Sequence, residues 1–343
     1  MYQKFTPPNH QRETSFELLR LVSQFYIVLY HIFLLFIAKE SDEQIYKAIQ
    51  MPLHVGVIVF VLLSGYFSIK PTSKKLIKLL SIFVVYAMPE TIYTLVHSDN
   101  TMKAVHSLFI LSYTHFWFIK TYLFLFLVSP MLNYYWDNSS KAQRVYMTAV
   151  LGFVAVYMAT THGDTSMLNG KNLVNFMFLY YVGRLIWQYK DKWLNIGYAP
   201  LIAGYILLNA ALVLIYLYGG TMIGKSVWAL SFPYSSPILL LNSLLVFFLV
   251  GKMHFQSRIV NYLAASSLAI YLIHGCRPYV IGMIGQASLY LYHEIASPYL
   301  LTAACALLAL VIICVCIAID KMLTPVWSYS NNIGSRIYNK LGF

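Results

Sequence analysis

Charged residues are scarce in this sequence. They make up 10% of its 343 residues, against about 25% in an average soluble domain. Hydrophobic residues make up 59%, and the mean hydropathy is +0.64. The few charges fall between apolar runs of about 20 residues, the length that an α-helix needs to cross a bilayer. The scarcity of charge therefore excludes a soluble globular protein and predicts a polytopic membrane protein.

Signatures of several other protein classes are absent as well. The sequence has no G-x-S-x-G nucleophile elbow and no glycine-rich nucleotide-binding loop. Its polar N-terminal segment lacks a small-residue cleavage site, so we expect no cleaved signal peptide. The cysteines lie in apolar runs without metal-ligand spacing, and we expect them to be small buried hydrophobic residues. They are Cys276, Cys305, Cys314 and Cys316.

The apolar runs predict an all-α polytopic membrane protein, because helices satisfy their own backbone hydrogen bonds in lipid. No segment between the runs is long enough for a second domain. We therefore predict one integral-membrane domain over residues 1–343, with helices over about 16–322. The ten predicted membrane helices cover about 16–38, 52–70, 75–97, 114–136, 144–161, 172–189, 197–218, 234–251, 262–284 and 298–322.

Basic residues set the predicted orientation. The net charge of +12 would also suit a nucleic-acid-binding protein. Here, however, the basic residues lie in short loops and favour every second loop, which is the positive-inside pattern. We therefore predict that both termini are cytoplasmic and expect no nucleic-acid partner. The densest of these loops carries Lys70, Lys74, Lys75 and Lys78.

A polar stripe runs along the first predicted helix. Arg20 and His31 are eleven residues apart, so they return to within about 20° of the same face and lie about 16 Å apart along the axis. Glu17 and Gln24 fall within about 60° of Arg20. Ionisable groups are costly in hydrocarbon, so this stripe indicates a functional site.

The predicted orientation places Arg20 near the cytoplasmic surface, within an inner polar group. Cationic side chains at a helix end suit a polyanionic ligand such as a phosphorylated cofactor. Alternatively, the lysines only set the topology and contact anionic lipid, and Glu17 and Arg20 form a pair that steadies the helix. The inner group comprises Glu17, Arg20, Ser64, Gly65, Lys74, Lys75 and Lys78.

A second polar group is predicted nearer the outer surface. Histidine is suited to proton transfer near neutral pH, although a lone intramembrane histidine is often a hydrogen-bonded packing residue. Glu90 would orient a histidine or an acceptor hydroxyl, or else cap a kink at Pro89. No two of the histidines are spaced i, i+4, so we predict no metal site. The outer group comprises His31, Glu90, His115, Trp117, Lys120 and His274, whereas Glu13 and Asp320 are expected to be interfacial and solvated.

At these positions the sequence resembles the membrane-bound acyltransferase-3 family, whose bacterial members O-acylate surface polysaccharides. The family signature on the first helix is an arginine, ten residues and a histidine, matched here by Arg20-LVSQFYIVLY-His31. The second-helix motif, F-x-x-x-S-G-aromatic, is matched by FVLLSGYFSIK around Ser64-Gly65-Tyr66. The segments HFWFIKTYLFLFLVSPML and SSLAIYLIH resemble the family's fourth and ninth helices. The basic run, usually arginine-rich in the family, is formed here by lysines, which lack the guanidinium fork.

This resemblance implies a ten-helix O-acetyltransferase of the bacterial inner (plasma) membrane, active in capsule or exopolysaccharide biosynthesis. It would take an acyl group, most simply acetyl, from cytoplasmic acyl-CoA and transfer it to a hydroxyl of a cell-surface or lipid-linked polysaccharide. His31 would be a general base or become transiently acylated, Arg20 would position the donor, and Glu17 would orient Arg20. The implied donor-binding residues are Arg20, Ser64, Gly65, Tyr66, Lys74, Lys75 and Lys78. The implied acceptor-binding residues are Glu90, His115, Trp117, Lys120 and His274.

Two other functions fit a many-helix protein with buried charges. One is an exporter of polysaccharide or lipid-linked sugar, or a small-solute transporter. The sequence shows neither an internal repeat nor paired helices broken by Gly and Pro, which such transporters often have. The other is a glycan polymerase, which would normally carry a large outer loop, and the sequence has none.

Overall fold

The computed structural model describes residues 13–97, 102, 105–106, 116–160, 168–222, 233–275 and 279–340. Within these ranges the chain forms helices and no strand, which confirms the all-α prediction for this part of the chain. The helices are α1 Thr14–Ile32, α2 Ala38–Glu40, α3 Gln44–Ile49, α4 Val55–Tyr66, α5 Ser73–His97, α6 Trp117–Asp137, α7 Lys141–Thr160, α8 Leu173–Gln188, α9 Lys190–Leu194, α10 Tyr198–Met222, α11 Pro237–Gly251, α12 Arg258–Ala264, α13 Ser267–His274, α14 Tyr279–Glu294 and α15 Pro298–Lys340.

Among the described residues, five helical segments are long and apolar enough to cross a membrane. The bent pair α13 and α14, whose axes meet at 79°, would add a sixth if the two helices form one span. Helices α8 and α11 have only 16 and 15 residues, fewer than the roughly 20 that a typical span needs. The apolar helices support a membrane protein, and the count of ten and the cytoplasmic termini stay predictions. The five segments are Thr14–Glu40, Gln44–Tyr66, Ser73–His97, Tyr198–Met222 and Pro298–Arg336.

The chain divides into two compact units. Unit 1 comprises Met1–Lys70 and Thr121–Ala264, and unit 2 comprises Pro71–Lys120 and Ala265–Phe343. The division falls inside α6, after Lys120.

Helix α4 lies at the centre of unit 1, where it packs against α1, α8 and α11. It is apolar on nearly all sides and almost entirely buried, as expected for a helix surrounded by other helices. Its closest neighbour is α8: a Cβ added at Gly65 would lie 2.0 Å from the carbonyl oxygen of Tyr180. A Cβ added at Gly183 would lie 2.3 Å from the carbonyl oxygen of Leu62. The two glycines let the helix backbones touch, a common way to pack membrane helices.

Unit 2 is built around α5 and α15, which run antiparallel. The hydroxyl of Ser73 donates to that of Tyr338 at 2.6 Å, and the hydroxyl of Tyr86 donates to Asp320 Oδ1 at 2.5 Å. The sequence predicted that the last helix ends near residue 322, whereas α15 continues to Lys340. Its 43 residues extend for about 64 Å. Asp320 is only 5% exposed. Its expected solvation is therefore wrong, because Tyr86 covers it.

The cysteine prediction is confirmed only in part. Cys305 and Cys316 are buried, whereas Cys314 is exposed on α15. Cys276 lies outside the described residues.

Candidate active site

Glu17 and Arg20 meet in the first two turns of α1. The Arg20 Nη1 atom forms an ion pair with Glu17 Oε1, three residues earlier. A carboxylate in the first turn also suits the positive end of the helix dipole. The Arg20 guanidinium carbon lies 5.9 Å from the ring centroid of Phe67. The Arg20 side chain is 32% exposed and that of Glu17 only 9%. The carboxylate thus holds a guanidinium that still reaches the surface of unit 1.

His31 lies in the last turn of the same helix. A single helix from Thr14 to Ile32 therefore carries both Arg20 and His31, as the spacing predicted. The imidazole is half-buried, with its ring centroid 5.8 Å from that of Tyr30. A π-helical segment, Phe33–Ile37, follows directly. Such segments are rare and are frequent at functional sites.

The Ser64-Gly65-Tyr66 motif packs helices together in unit 1. The Ser64 hydroxyl donates to the Phe60 carbonyl at 3.0 Å and to the Tyr122 hydroxyl at 3.3 Å. Gly65 forms the crossing with α8 described above. Tyr66 is buried, with its ring centroid 4.8 Å from that of Phe16. The motif meets Arg20 through the next residue, Phe67, while its donor-binding role stays a prediction.

The three predicted donor-binding lysines belong to unit 2. Lys74, Lys75 and Lys78 are exposed in the first two turns of α5. The Lys78 ammonium lies 5.3 Å from the ring centroid of Trp327 on α15. Cations at a helix N-terminus oppose the helix dipole. Their position is therefore better suited to contact with an anion than to helix stability.

Apart from His31 on α1, the described members of the outer polar group lie on three helices of unit 2. His274 ends α13, is 1% exposed and places Nδ1 2.6 Å from the Ile270 carbonyl oxygen. Because a carbonyl only accepts, we assign the proton to Nδ1, which leaves Nε2 as an acceptor. Trp117 and Lys120 are half-buried in the first turn of α6, and Glu90 is half-buried in α5 after Pro89.

The start of α6 and the end of α13 pack together in unit 2. The ring centroid of Phe116 lies 5.8 Å from that of Tyr271, and a Cβ added at Gly275 would lie 2.9 Å from the Phe116 ring. Trp117 and His274 therefore each adjoin a residue of this contact. His115, which we predicted to bind the acceptor, lies outside the described residues.

The structure adds a histidine in unit 1 that the sequence analysis did not single out. His54 is 8% exposed, and its Nδ1 lies 3.0 Å from the Met51 carbonyl oxygen. Its ring centroid is 4.5 Å from that of Tyr30, the neighbour of His31, and 5.3 Å from that of Tyr234. Its position in a predicted apolar run is the same signal that identified His31.

Arg184 is a second arginine within a predicted membrane helix that the sequence analysis passed over. It lies on α8, and its side chain is 2% exposed. Its Nη2 atom donates to Asp137 Oδ1 at 2.8 Å. An arginine inside a predicted span was the available signal, whereas its partner 47 residues earlier was not predictable.

Comparison with known protein families identifies the family of this chain. A family model described as an acyltransferase domain, the acyltransferase-3 model, matches residues 13–319, which is more than half of the chain. The matched range includes every residue assigned above to donor binding, catalysis or acceptor binding. No curated protein and no solved structure gave a match. The chain belongs to the acyltransferase-3 family.

Proposed function

We propose that this membrane acyltransferase transfers an acetyl group from cytoplasmic acetyl-CoA to a hydroxyl of a cell-surface or lipid-linked polysaccharide. The observation that carries the proposal is the arrangement of α1. One unbroken helix bears Arg20, held by Glu17, and His31 eleven residues later. In a chain of this family, that helix supplies one residue for the donor and one for the acceptor. Family membership also favours an acyltransferase over the exporter and the polymerase.

Arg20 would bind the donor. A guanidinium presents a fork of N–H groups that matches a phosphate oxygen pair. One-third of its side chain is accessible, and the Glu17 carboxylate restricts its orientation. Lys74, Lys75 and Lys78 are proposed for donor binding on the strength of the family resemblance, and their exposed positive charge suits phosphate groups.

His31 would act as the general base. Its imidazole takes the proton from the acceptor hydroxyl while the hydroxyl oxygen attacks the carbonyl carbon of the thioester. A carbon–oxygen bond forms, the carbon–sulfur bond breaks, and the CoA thiolate leaves and takes up the proton that His31 accepted, which regenerates the neutral imidazole. Arg20 and His31 lie about 16 Å apart along α1, so the pantetheine arm of CoA would carry the thioester along this helix towards His31.

The acceptor would lie at the predicted outer side, in a bacterial plasma membrane, during capsule or exopolysaccharide synthesis. Trp117 would supply an aromatic face for a sugar ring of the acceptor. The polar groups of Glu90, Lys120 and His274 would supply hydrogen-bond donors and acceptors for the hydroxyls of the sugar. His115 is proposed for the same role on the strength of the family resemblance.

Replacing His31 tests the proposal in cells. We expect His31→Ala to lower acetylation of surface polysaccharide by roughly 10²- to 10⁴-fold, the usual contribution of a general base. The measurement is the acetate released by mild alkali from purified surface polysaccharide. His254→Ala is the matched control, because His254 is exposed in the loop before α12.

Protein level and thermal stability in detergent are to be measured for both variants. If the His31→Ala strain carries normal amounts of ester-linked acetate, the proposal is wrong. If an acetyl group is trapped on His31 of the wild type, His31 is a nucleophile and the general-base step is wrong.

A further inference from the structure

Helices α6, α7 and α8 bring two arginines around one tryptophan in unit 1. Helix α6 ends at Asp137, α7 begins at Lys141 and α8 ends at Gln188. The guanidinium carbons of Arg144 and Arg184 lie 5.3 and 5.2 Å from the ring centroid of Trp136. Trp136 is itself 2% exposed. A buried indole thus fixes both cations. We call Arg144, Arg184, Trp136, Asp137 and Gln188 the arginine cluster, and none of them is assigned to acyl transfer.

The arginine cluster keeps an excess of positive charge. Asp137 pairs with Arg184 at 2.8 Å. Arg144 instead uses neutral acceptors: its Nε donates to the Trp136 carbonyl at 2.8 Å and its Nη1 to Gln188 Oε1 at 3.0 Å. Two guanidiniums therefore meet one carboxylate, and the charge of Arg144 is not neutralised by it.

Arg144 and Gln188 each have one donor without an acceptor among the described residues. One is Nη2 of Arg144, the second terminal nitrogen of its half-buried guanidinium. The other is Nε2 of Gln188, which is buried and makes no hydrogen bond. A buried polar group without a partner is costly. An anionic oxygen that enters beside Arg144 would accept from both groups and offset the charge.

Large apolar side chains are exposed on the two helices that carry Trp136 and Arg144. On α7, Val145 is 46% exposed and Tyr146 68%. On α6, Met131 and Tyr134 are each 74% exposed. In a membrane protein such surfaces face lipid chains. The ligand that fits both features carries an anionic head and apolar chains.

We infer that Arg144 and Gln188 bind the phosphate of an anionic phospholipid, that nearby Arg184 adds positive charge, and that the acyl chains lie along the exposed faces of α6 and α7. Basic pockets between membrane helices are known to hold anionic headgroups. The bound headgroup would fix the ends of three helices of unit 1 to one leaflet, which the charge pattern predicts to be cytoplasmic. This site goes beyond acyl transfer and stands without it.

Binding of phosphatidylglycerol and phosphatidylcholine to the detergent-purified full chain, followed by native mass spectrometry, tests the inference. We expect phosphatidylglycerol to bind and phosphatidylcholine not to. Arg144→Gln should weaken phosphatidylglycerol binding by about tenfold or more, because a hydrogen bond to a charged group contributes about 1.5–3 kcal/mol. Arg258→Gln is the matched control: Arg258 is exposed at the start of α12, and its variant should bind as the wild type does.

A parallel titration with acetyl-CoA separates the lipid from another source of phosphate. If Arg144→Gln binds phosphatidylglycerol as tightly as the wild type, or if phosphatidylcholine binds equally well, the inference is overturned. It is also overturned if Arg144→Gln weakens acetyl-CoA binding and leaves lipid binding intact. Arg144→Lys, which keeps the charge, should restore part of the lipid affinity and shows that the variant chain folds.

Discussion

Two arginines sit in apolar helices of unit 1, each beside one carboxylate, yet their surroundings differ. Arg20 pairs with Glu17 in its own helix, and its side chain is 32% exposed. Arg184 pairs with Asp137 of another helix, and its side chain is 2% exposed. In the first pair the carboxylate is buried and the arginine is accessible. In the second the arginine is buried, and Asp137 is 53% exposed.

This difference separates an arginine that a ligand can reach from one that holds two helices together. A pair within one helix ties no helices together, so the Glu17 carboxylate mainly orients Arg20. The pair between α6 and α8 holds two helices, and Trp136 adds a contact to the same guanidinium. Helix α4 packs against both arginine-bearing helices, α1 and α8. Its backbone contact with α8 therefore supports the surface on which Arg20 lies.

Removing the carboxylate partner of each arginine should give the largest difference in the free energy of unfolding. Asp137→Ala leaves a buried guanidinium without its carboxylate, and we expect it to lower the free energy of unfolding by about 3–5 kcal/mol. Glu17→Ala leaves an arginine that water reaches, and we expect a loss below about 1 kcal/mol. The measurement is denaturant titration in neutral detergent micelles, without anionic lipid. Equal losses for the two variants would contradict the distinction between the arginines.

A methyl group at the centre of unit 1 should have the next largest effect. Gly65→Ala places a Cβ 2.0 Å from the Tyr180 carbonyl oxygen, so α4 and α8 must separate. Overpacking of this kind costs about 1–3 kcal/mol of unfolding free energy. Gly220→Ala on α10 is the control, because its Cβ would meet no atom within 4 Å. It should be neutral or stabilise the protein by up to about 1 kcal/mol.

The same titration measures both glycine variants. A Gly65→Ala protein as stable as the wild type would mean that the close backbone contact is not required. The serine-glycine-tyrosine motif would then be free to serve the donor alone.

The sequence allowed the arrangement of residues on α1 to be predicted because that arrangement is local. Helix periodicity alone places Arg20 and His31 on one face, and Glu17 within reach of Arg20. The structure has all three on one helix, with the predicted ion pair formed. Local periodicity also identified the apolar runs that became α1, α4, α5, α10 and α15.

Contacts between distant segments could not be predicted in this way. Gly65 was assigned to the donor, and its packing against Gly183 depends on how α4 crosses α8. Asp320 was expected in water, because no pattern in its own helix predicts the hydrogen bond from Tyr86, 234 residues earlier. Arg184 and His54 were overlooked even though each is ionisable and lies in an apolar run. A uniform application of the rule for intramembrane charges would have found both.

The division of roles along α1 is tested most directly by equilibrium binding of acetyl-CoA to the purified protein, with no acceptor present. Arg20→Gln should weaken binding by about tenfold or more, because it removes the charged hydrogen bonds to phosphate. His31→Gln should bind acetyl-CoA as the wild type does and still fail to transfer the acetyl group to polysaccharide. Unchanged binding by Arg20→Gln, or an equal loss of binding in both variants, would contradict the account.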